Sequence, residues 1–181
     1  MLAMDKTLNA LGNEGLMSYL EALPCISYTR SHVADFLVER GICKSRQKAF
    51  KSYLGKGGRI FEAADWCQLQ EAVSVISSSG GIAVLAHPGR YPLGKRKLES
   101  LVDDFTNHGG EAIEVSYSNI QPRISQQLSE LCLAKNLYAS LGSDFHDGAA
   151  HWMDIGRMPL LDQQAKKNAI WFHPKWHSLN K

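Results

Sequence analysis

The sequence lacks several features that define whole classes of protein. Its four cysteines, Cys25, Cys43, Cys67 and Cys132, contain no C-x-x-C pair, so they indicate free thiols in a reducing compartment, with no zinc knuckle or disulfide framework. No apolar run approaches the roughly 18 residues of a membrane-spanning helix, and no signal peptide is recognisable. We therefore expect a cytoplasmic location and no membrane partner.

A strong charge of one sign is also absent. The 181 residues include 20 Lys and Arg against 18 Asp and Glu, a formal net charge of +2. This balance does not indicate binding to an anionic membrane or in a nucleic-acid groove, and we expect no stable binding of duplex nucleic acid. Hydrophobic residues make up 44% of the chain, which is enough for a packed core.

Residues 1–62 have the pattern of an all-helical unit. The clearest helix is predicted over residues 29–41, where a Thr or Ser caps the start, an apolar stripe follows and a glycine ends it. A further helix is predicted over residues 45–54. The usual explanation of the unit's basic residues is a solvated helical face, and the alternative is a basic lid over an anionic substrate. These basic residues are Arg30, His32, Arg46, Lys48, Lys51, Lys56 and Arg59.

Residues 63–181 alternate helices with strands, which predicts an α/β unit with a parallel sheet, as in part of a (β/α) barrel. Three strands are too few to close a barrel. The tail from residue 152 is predicted to be an irregular closing segment packed through its aromatic residues, with His173 at the surface. Helices are predicted over 68–79, 97–108 and 121–135, and strands over 82–86, 112–116 and 137–141.

Two predicted strands are followed by polar side chains of the kinds that bind metals or take part in catalysis. The strand over 82–86 is apolar throughout, which predicts burial on both faces, and it is followed by His87, a Pro-Gly turn and Arg90. After the last strand come Asp144 and His146, which point to the same side if the backbone is extended. The alternative is that Asp144 caps a turn and His146 is an ordinary exposed histidine.

Imidazole and carboxylate groups are good ligands for divalent metals, so His87, Asp144 and His146 are candidate ligands of one catalytic metal. A site with two or more metals needs further His, Asp or Glu residues. Arg90 could pair with a phosphate through its planar guanidinium. Glu114 lies in the middle of a strand, where an unpaired buried charge is costly. It is a candidate for supporting the ligands or facing the substrate.

The motifs Ala86-His-Pro-Gly-Arg90 and Gly142-Ser-Asp-Phe-His146 resemble those of PHP-domain metallophosphoesterases. The helical stretch over 29–41 with residues 53–58 is similar to the branch that cleaves nucleoside 3′,5′-bisphosphates and short RNA 5′ ends. The resemblance implies the carboxyl-terminal strands of a distorted (β/α)7 PHP barrel, with residues 1–62 as a helical insertion and residues 63–181 as barrel.

The resemblance also implies roles for individual residues. His87, Asp144 and His146 would be metal ligands, with Asp144 and His146 catalytic. Arg90 would lie beside the substrate phosphate, and Arg30 and His32 would be substrate contacts from the insertion. The implied cofactors are divalent metal ions, manganese first, then iron, zinc or magnesium. The implied substrate is a nucleotide or a short oligonucleotide.

The sequence departs from the family in its amino-terminal part. The family's H-x-H motif and its further Asp, His and Glu ligands are absent, and Ser118-Asn119 stands where the family has a serine-histidine pair. The chain thus resembles the carboxyl-terminal two-thirds of such an enzyme. We expect weak metal binding and little activity unless a missing amino-terminal half is supplied. The alternatives are a non-catalytic module that binds an anion or RNA, and a gene remnant.

Overall fold

The computed structural model describes residues 1–63, 66–145 and 154–176. The chain divides into two compact units, Met1–Trp66 and Cys67–Lys181. Across the described ranges, every helix is too short or too polar to cross a bilayer. His146, a predicted metal ligand and catalytic residue, lies outside these ranges.

The first unit is all-helical, as the sequence predicted. Its core contains Leu8, Leu16, Leu20, Phe36 and Leu37, all fully buried. The predicted apolar stripe of the third helix therefore faces this core, because residues spaced three and four apart share one helical face. The helices are α1 (Leu2–Ala10), α2 (Leu16–Glu21), α3 (Arg30–Glu39) and α4 (Arg46–Ala49), the last continued by a π-helical turn (Phe50–Leu54).

The second unit alternates helices and strands. Its three strands form a parallel sheet in the order β1-β2-β3, so each crossover helix joins neighbouring strands. Parallel pairing brings the carboxyl ends of all three strands to one edge of the sheet. The elements are α5 (Leu69–Ser78), β1 (Val84–Leu85), α6 (Lys95–Asn107), β2 (Ala112–Tyr117), α7 (Pro122–Ala134) and β3 (Tyr138–Gly142).

Strand β1 is shorter and less buried than predicted. Only Val84 and Leu85 form ladder pairs, with Ala112 and Ile113 of β2. Leu85 is buried but Val84 remains partly exposed, so the prediction of burial on both faces is wrong. The apolar run could not reveal this, because one-sided and two-sided burial both tolerate hydrophobic residues.

Strand β2 is the central element of the second unit's core. Ile113 and Val115 are fully buried, and they pack in one cluster with Phe105 of α6 and Leu128 of α7. The pairing with β3 shifts register between Glu114 and Ser116, because Glu114 pairs with Ser140 and Ser116 with Leu141.

The tail closes the second unit, but Trp171 and Phe172 do not form its buried part, and Trp152 lies outside the described residues. Leu161, Ala165, Ala169 and Ile170 are buried, and Ala169 forms a single parallel bridge with Ala139 of β3. Trp171 and Phe172 are 37% and 62% exposed. The predicted aromatic packing is therefore wrong for these two residues, since small and aliphatic side chains fit closer to the strand.

His173 is buried, which corrects the expectation of a surface position. Its Nε2 lies 2.9 Å from Oε2 of Glu111, and its Nδ1 accepts a hydrogen bond from the backbone N–H of Lys175. The Lys175 ammonium donates to the other oxygen of Glu111 at 2.8 Å. A buried histidine is stable here because both ring nitrogens and the facing carboxylate are paired.

The four cysteines differ in burial, which predicts how they react with an alkylating reagent. Burial raises the pKa of Cys132 to about 12 and raises that of Cys43, whereas Cys67 is exposed. Since the thiolate is the nucleophile, iodoacetamide at about pH 8 should modify Cys67 first and leave Cys132 intact in the folded protein. Peptide mass spectrometry measures each site. Full labelling in denaturant is the control, and labelling of native Cys132 as fast as Cys67 would contradict the described packing.

Candidate functional site

The polar residues that follow β1 and β3 meet at the carboxyl edge of the sheet. His87 and Arg90 come two and five residues after the end of β1, and Asp144 comes two residues after β3. Strand β2 lies between them, and its last residue, Tyr117, contributes a ring to the same place. This is the edge at which open parallel sheets bind ligands.

His87 stands at the exit of β1 in a left-handed backbone conformation, with φ 33°. The chain then turns sharply through the 3₁₀ segment Pro88–Arg90. The imidazole is flanked edge-on by two tyrosine rings, with centroid distances of 6.1 Å to Tyr91 and 6.4 Å to Tyr117. Edge-to-face contacts of this kind restrict how the ring can rotate.

Arg90 connects the turn after β1 to both other strands. Its guanidinium pairs with the carboxylate of Asp144 and donates at 3.1 Å to the carbonyl oxygen of Ser118. The same group lies over the ring of Tyr117, 4.9 Å from its centroid. Gly89 makes this approach possible, since a Cβ there would lie 2.4 Å from the Tyr117 hydroxyl.

Asp144 does not have the extended backbone that the sequence suggested. Its φ is 53°, in the left-handed region that Asp tolerates better than most residues. The assumption that residues 144 and 146 share one face of an extended strand is therefore wrong at Asp144. The side chain is only 10% exposed, and its Oδ1 lies 4.0 Å from Nε2 of His87. Arg90 supplies the positive charge that makes this burial tolerable.

The site lowers the acidity of its two tyrosines. Burial raises the pKa of Tyr117, Glu114 and Asp144 raise it further, and the Arg90 charge opposes the rise. Burial, with the nearby charge of Glu114, also raises the pKa of Tyr91. Both phenols thus remain neutral near pH 7, and the Tyr91 hydroxyl donates to the carbonyl oxygen of Ala86 at 2.8 Å.

Glu114 belongs to the site, although its signal in the sequence is weak. It is the one charged residue in an otherwise buried stretch of β2, and its Oε2 accepts the backbone N–H of His87 at 2.7 Å. That signal was a carboxylate at a position where burial without a partner would be costly.

Ser116 of β2 and Ser118, just after the strand, contact the described segment that begins at residue 154. Ser116 donates to the carbonyl oxygen of Pro159 at 2.5 Å, and Ser118 donates to that of Arg157 at 2.7 Å. Beside them, an open cavity of about 650 Å³ is lined by Arg90, Tyr117 and the residues that lead into α7. A ligand bound in this cavity would contact the Arg90 guanidinium.

The donors described at this edge fit part of a divalent metal site. His87 offers an imidazole and Asp144 a carboxylate, but the described ranges contain no cluster of three or more potential ligands. Nδ1 of His87 is buried and has no hydrogen-bond partner among the described residues, which leaves its capacity to accept unused. Two ligands of the required chemistry are thus present. The third predicted ligand, His146, lies outside the described ranges.

The predicted substrate contacts of the first unit, Arg30 and His32, both lie in the first turn of α3. Arg30 is exposed at the start of α3. His32 completes a capping box, in which its Nδ1 accepts the backbone N–H of Thr29 at 3.1 Å. Only Nε2 of His32 therefore remains available to a ligand.

No profile of a known protein family matches the chain. Individual relatives do match it. The chain is 44% identical over 129 residues to the 5′-3′ exoribonuclease Rnm of Salmonella typhimurium, covering 71% of this chain and 44% of the relative. It is 36% identical over 143 residues to the 3′,5′-nucleoside bisphosphate phosphatase of Chromobacterium violaceum, covering 79% of this chain and 50% of the relative.

Solved structures give the same result. An amidohydrolase from Chromobacterium violaceum, with bound sulfate and no metal, matches with a TM-score of 0.79 at 33% identity, over 93% of this chain and 58% of that one. A proposed metal-dependent phosphoesterase from Bifidobacterium adolescentis matches with a TM-score of 0.70 at 19% identity, which shows a shared fold alone.

The α/β fold and the resemblance predicted from the two strand-end motifs are both supported by these matches. The chain spans about half the length of the curated relatives it matches. Over that span, it is a homologue of bacterial proteins named 5′-3′ exoribonuclease and 3′,5′-nucleoside bisphosphate phosphatase.

Proposed function

We propose that the chain carries the phosphate-binding side of a metal-dependent phosphoesterase that acts on nucleotide phosphates. The observation behind this proposal is the meeting of His87, Arg90 and Asp144 at the carboxyl edge of one parallel sheet. An imidazole, a carboxylate and a guanidinium are the groups needed to bind a metal and a phosphate together. The names of the relatives favour 3′,5′-nucleoside bisphosphates or short RNA 5′ ends as substrates.

His87 and Asp144 would hold the divalent metal, together with His146 and with ligands beyond the described residues. A metal bound there would supply hydroxide near neutral pH and neutralise charge on the phosphate. Manganese is the metal we favour, ahead of iron, zinc and magnesium. Oδ2 of Asp144 pairs with Arg90 and Oδ1 faces His87, so Oδ1 is the oxygen that would hold the metal.

Arg90 would bind the phosphate of the substrate. Its guanidinium is neutralised by Asp144 and oriented by Tyr117 and the Ser118 carbonyl. The ring of Tyr117 and the carbonyl of Ser118 contact Arg90 independently of Asp144, so they would hold the guanidinium in place while it binds a phosphate. A planar guanidinium can then offer two parallel N–H donors to a phosphate.

The proposal extends to the architecture. The three strands would be the carboxyl-terminal strands of a distorted (β/α)7 PHP barrel, with residues 63–181 as its barrel part. Residues 1–62 would be the helical insertion, from which Arg30 and His32 would reach the substrate.

The first test measures metal binding. We expect the protein to bind Mn²⁺ weakly, and Asp144→Ala to weaken the affinity roughly tenfold or more, since even groups that only support ligands cost this much. Electron paramagnetic resonance of free Mn²⁺ gives the dissociation constant. Asp104→Ala removes an exposed carboxylate of α6 and serves as the matched control. Equal Mn²⁺ affinity in the wild type and Asp144→Ala would count against the proposal.

The second test measures turnover. With two ligands described, we expect the 181-residue chain alone to hydrolyse a 3′,5′-nucleoside bisphosphate far below the roughly 1–1,000 s⁻¹ of ordinary enzymes. Adding the amino-terminal half of a relative as a separate chain should raise the rate, and Asp144→Ala should abolish the gain. Turnover in the ordinary range by the chain alone would refute this expectation.

If the protein is instead a module that binds an anion or RNA, we expect the opposite result. In that case, Arg30→Ala would abolish binding of a short 5′-phosphorylated oligonucleotide, and Asp144→Ala would leave this binding unchanged. For a phosphoesterase, we expect oligonucleotide binding in the presence of Mn²⁺ to be lost in Asp144→Ala. Fluorescence anisotropy with a labelled oligonucleotide compares the two variants directly.

A further inference from the structure

The carboxylate of Glu114 reaches the ends of both neighbouring strands from the middle strand of the sheet. Its Oε2 accepts the backbone N–H of His87, just past β1, at 2.7 Å. Its Oε1 faces Gly142, the last residue of β3, where an added Cβ would lie only 2.6 Å from this oxygen. One side chain thus contacts both chain segments that deliver the proposed ligands.

The alternation of side chains along β2 explains how a mid-strand residue can do this. Ile113, Val115 and Tyr117 belong to the hydrophobic cluster of the second unit, whereas Glu114 lies between them on the other face and is only partly buried. The pairing with β3 shifts register beside it, where Glu114 pairs with Ser140 and Ser116 with Leu141. Such irregularities are common beside functional sites.

The contact with His87 stabilises an unfavourable backbone. A non-glycine residue with positive φ, here 33°, persists only where its surroundings hold it. A hydrogen bond to an ionised carboxylate is about twice as strong as a neutral one. The bond to Glu114 therefore favours the conformation that places the His87 imidazole between the two tyrosine rings.

The contact with Gly142 ties the same carboxylate to the exit of β3. A side chain at residue 142 would occupy the space beside Oε1, so only glycine lets the carboxylate lie this close to the strand. Two residues later the backbone reaches Asp144. The position of one carboxylate is thereby sensitive to both strand exits.

We propose that Glu114 is a positioning residue that sets the orientation of His87 relative to Asp144. The expected effect of that orientation on metal binding rests on the proposed function. The orientation itself does not. Glu114 acts through the His87 backbone and does not need to touch the metal or the substrate.

The test follows the backbone amide of His87 by NMR on the whole protein. In Glu114→Ala, its hydrogen-exchange rate should rise roughly tenfold or more, because a charge-assisted hydrogen bond is lost. Glu114→Gln keeps an acceptor and should give a smaller rise. The amides of Ile113 and Val115 in the same strand report general loosening and should change less than that of His87.

Gly142→Ala tests the same carboxylate from the other strand. Its Cβ must displace Oε1 of Glu114, so the His87 amide and imidazole resonances should shift although residue 142 makes no described hydrogen bond to His87. Gly94→Ala is the matched control, because an added Cβ there meets no atom within 4 Å. Unchanged His87 exchange and resonances in both Glu114→Gln and Gly142→Ala would overturn the inference, even if Glu114→Ala fails to fold.

Mn²⁺ affinity separates this inference from the proposed function. If both hold, Glu114→Ala lowers the affinity and Glu114→Gln restores part of it. If the wild type binds no Mn²⁺ but the His87 amide responds as expected, the proposed function fails and the positioning role stands. If the wild type binds Mn²⁺ but the His87 amide does not respond to the substitutions, the positioning role is wrong and the proposed function stands.

Discussion

The ion pair between Arg90 and Asp144 joins the exits of the two outer strands of the sheet across the middle strand. Asp144 is nearly buried, and a carboxylate in such a place is stable only with a positive partner. Arg90 can be that partner because the Tyr117 ring lies under its guanidinium and the Ser118 carbonyl accepts a hydrogen bond from its Nη2. Both supports come from the end of β2. The site therefore depends on all three strands ending at one edge.

Most of the secondary structure could be predicted from the sequence, because the signals were local. The apolar stripe over residues 29–41, the glycine stops and the apolar runs before His87 and Asp144 all mark elements that the structure contains. The location of His87, Arg90 and Asp144 at one edge also followed from a general property of parallel sheets. These predictions needed only periodicity and the geometry of strand pairing.

What could not be predicted depended on contacts between residues far apart in the chain. The left-handed conformation of Asp144 is stabilised by an arginine 54 residues earlier, and no local pattern encodes it. The burial of His173 depends on Glu111, 62 residues away. Glu114 was visible only as a charge in a buried strand, since its partner, the backbone N–H of His87, lies 27 residues earlier in the chain. Composition and periodicity carry no information about such partners.

The two edges of the sheet differ in a way that governs how the sheet can grow. Beside β3, the tail segment packs against the strand and bridges to it at Ala139, so that edge is occupied. Beside β1, the described ranges contain no pairing strand, and an edge of this kind is a template for another strand. A further strand, from this chain or from another, could extend the ladder there. It would then run past the exit that carries His87.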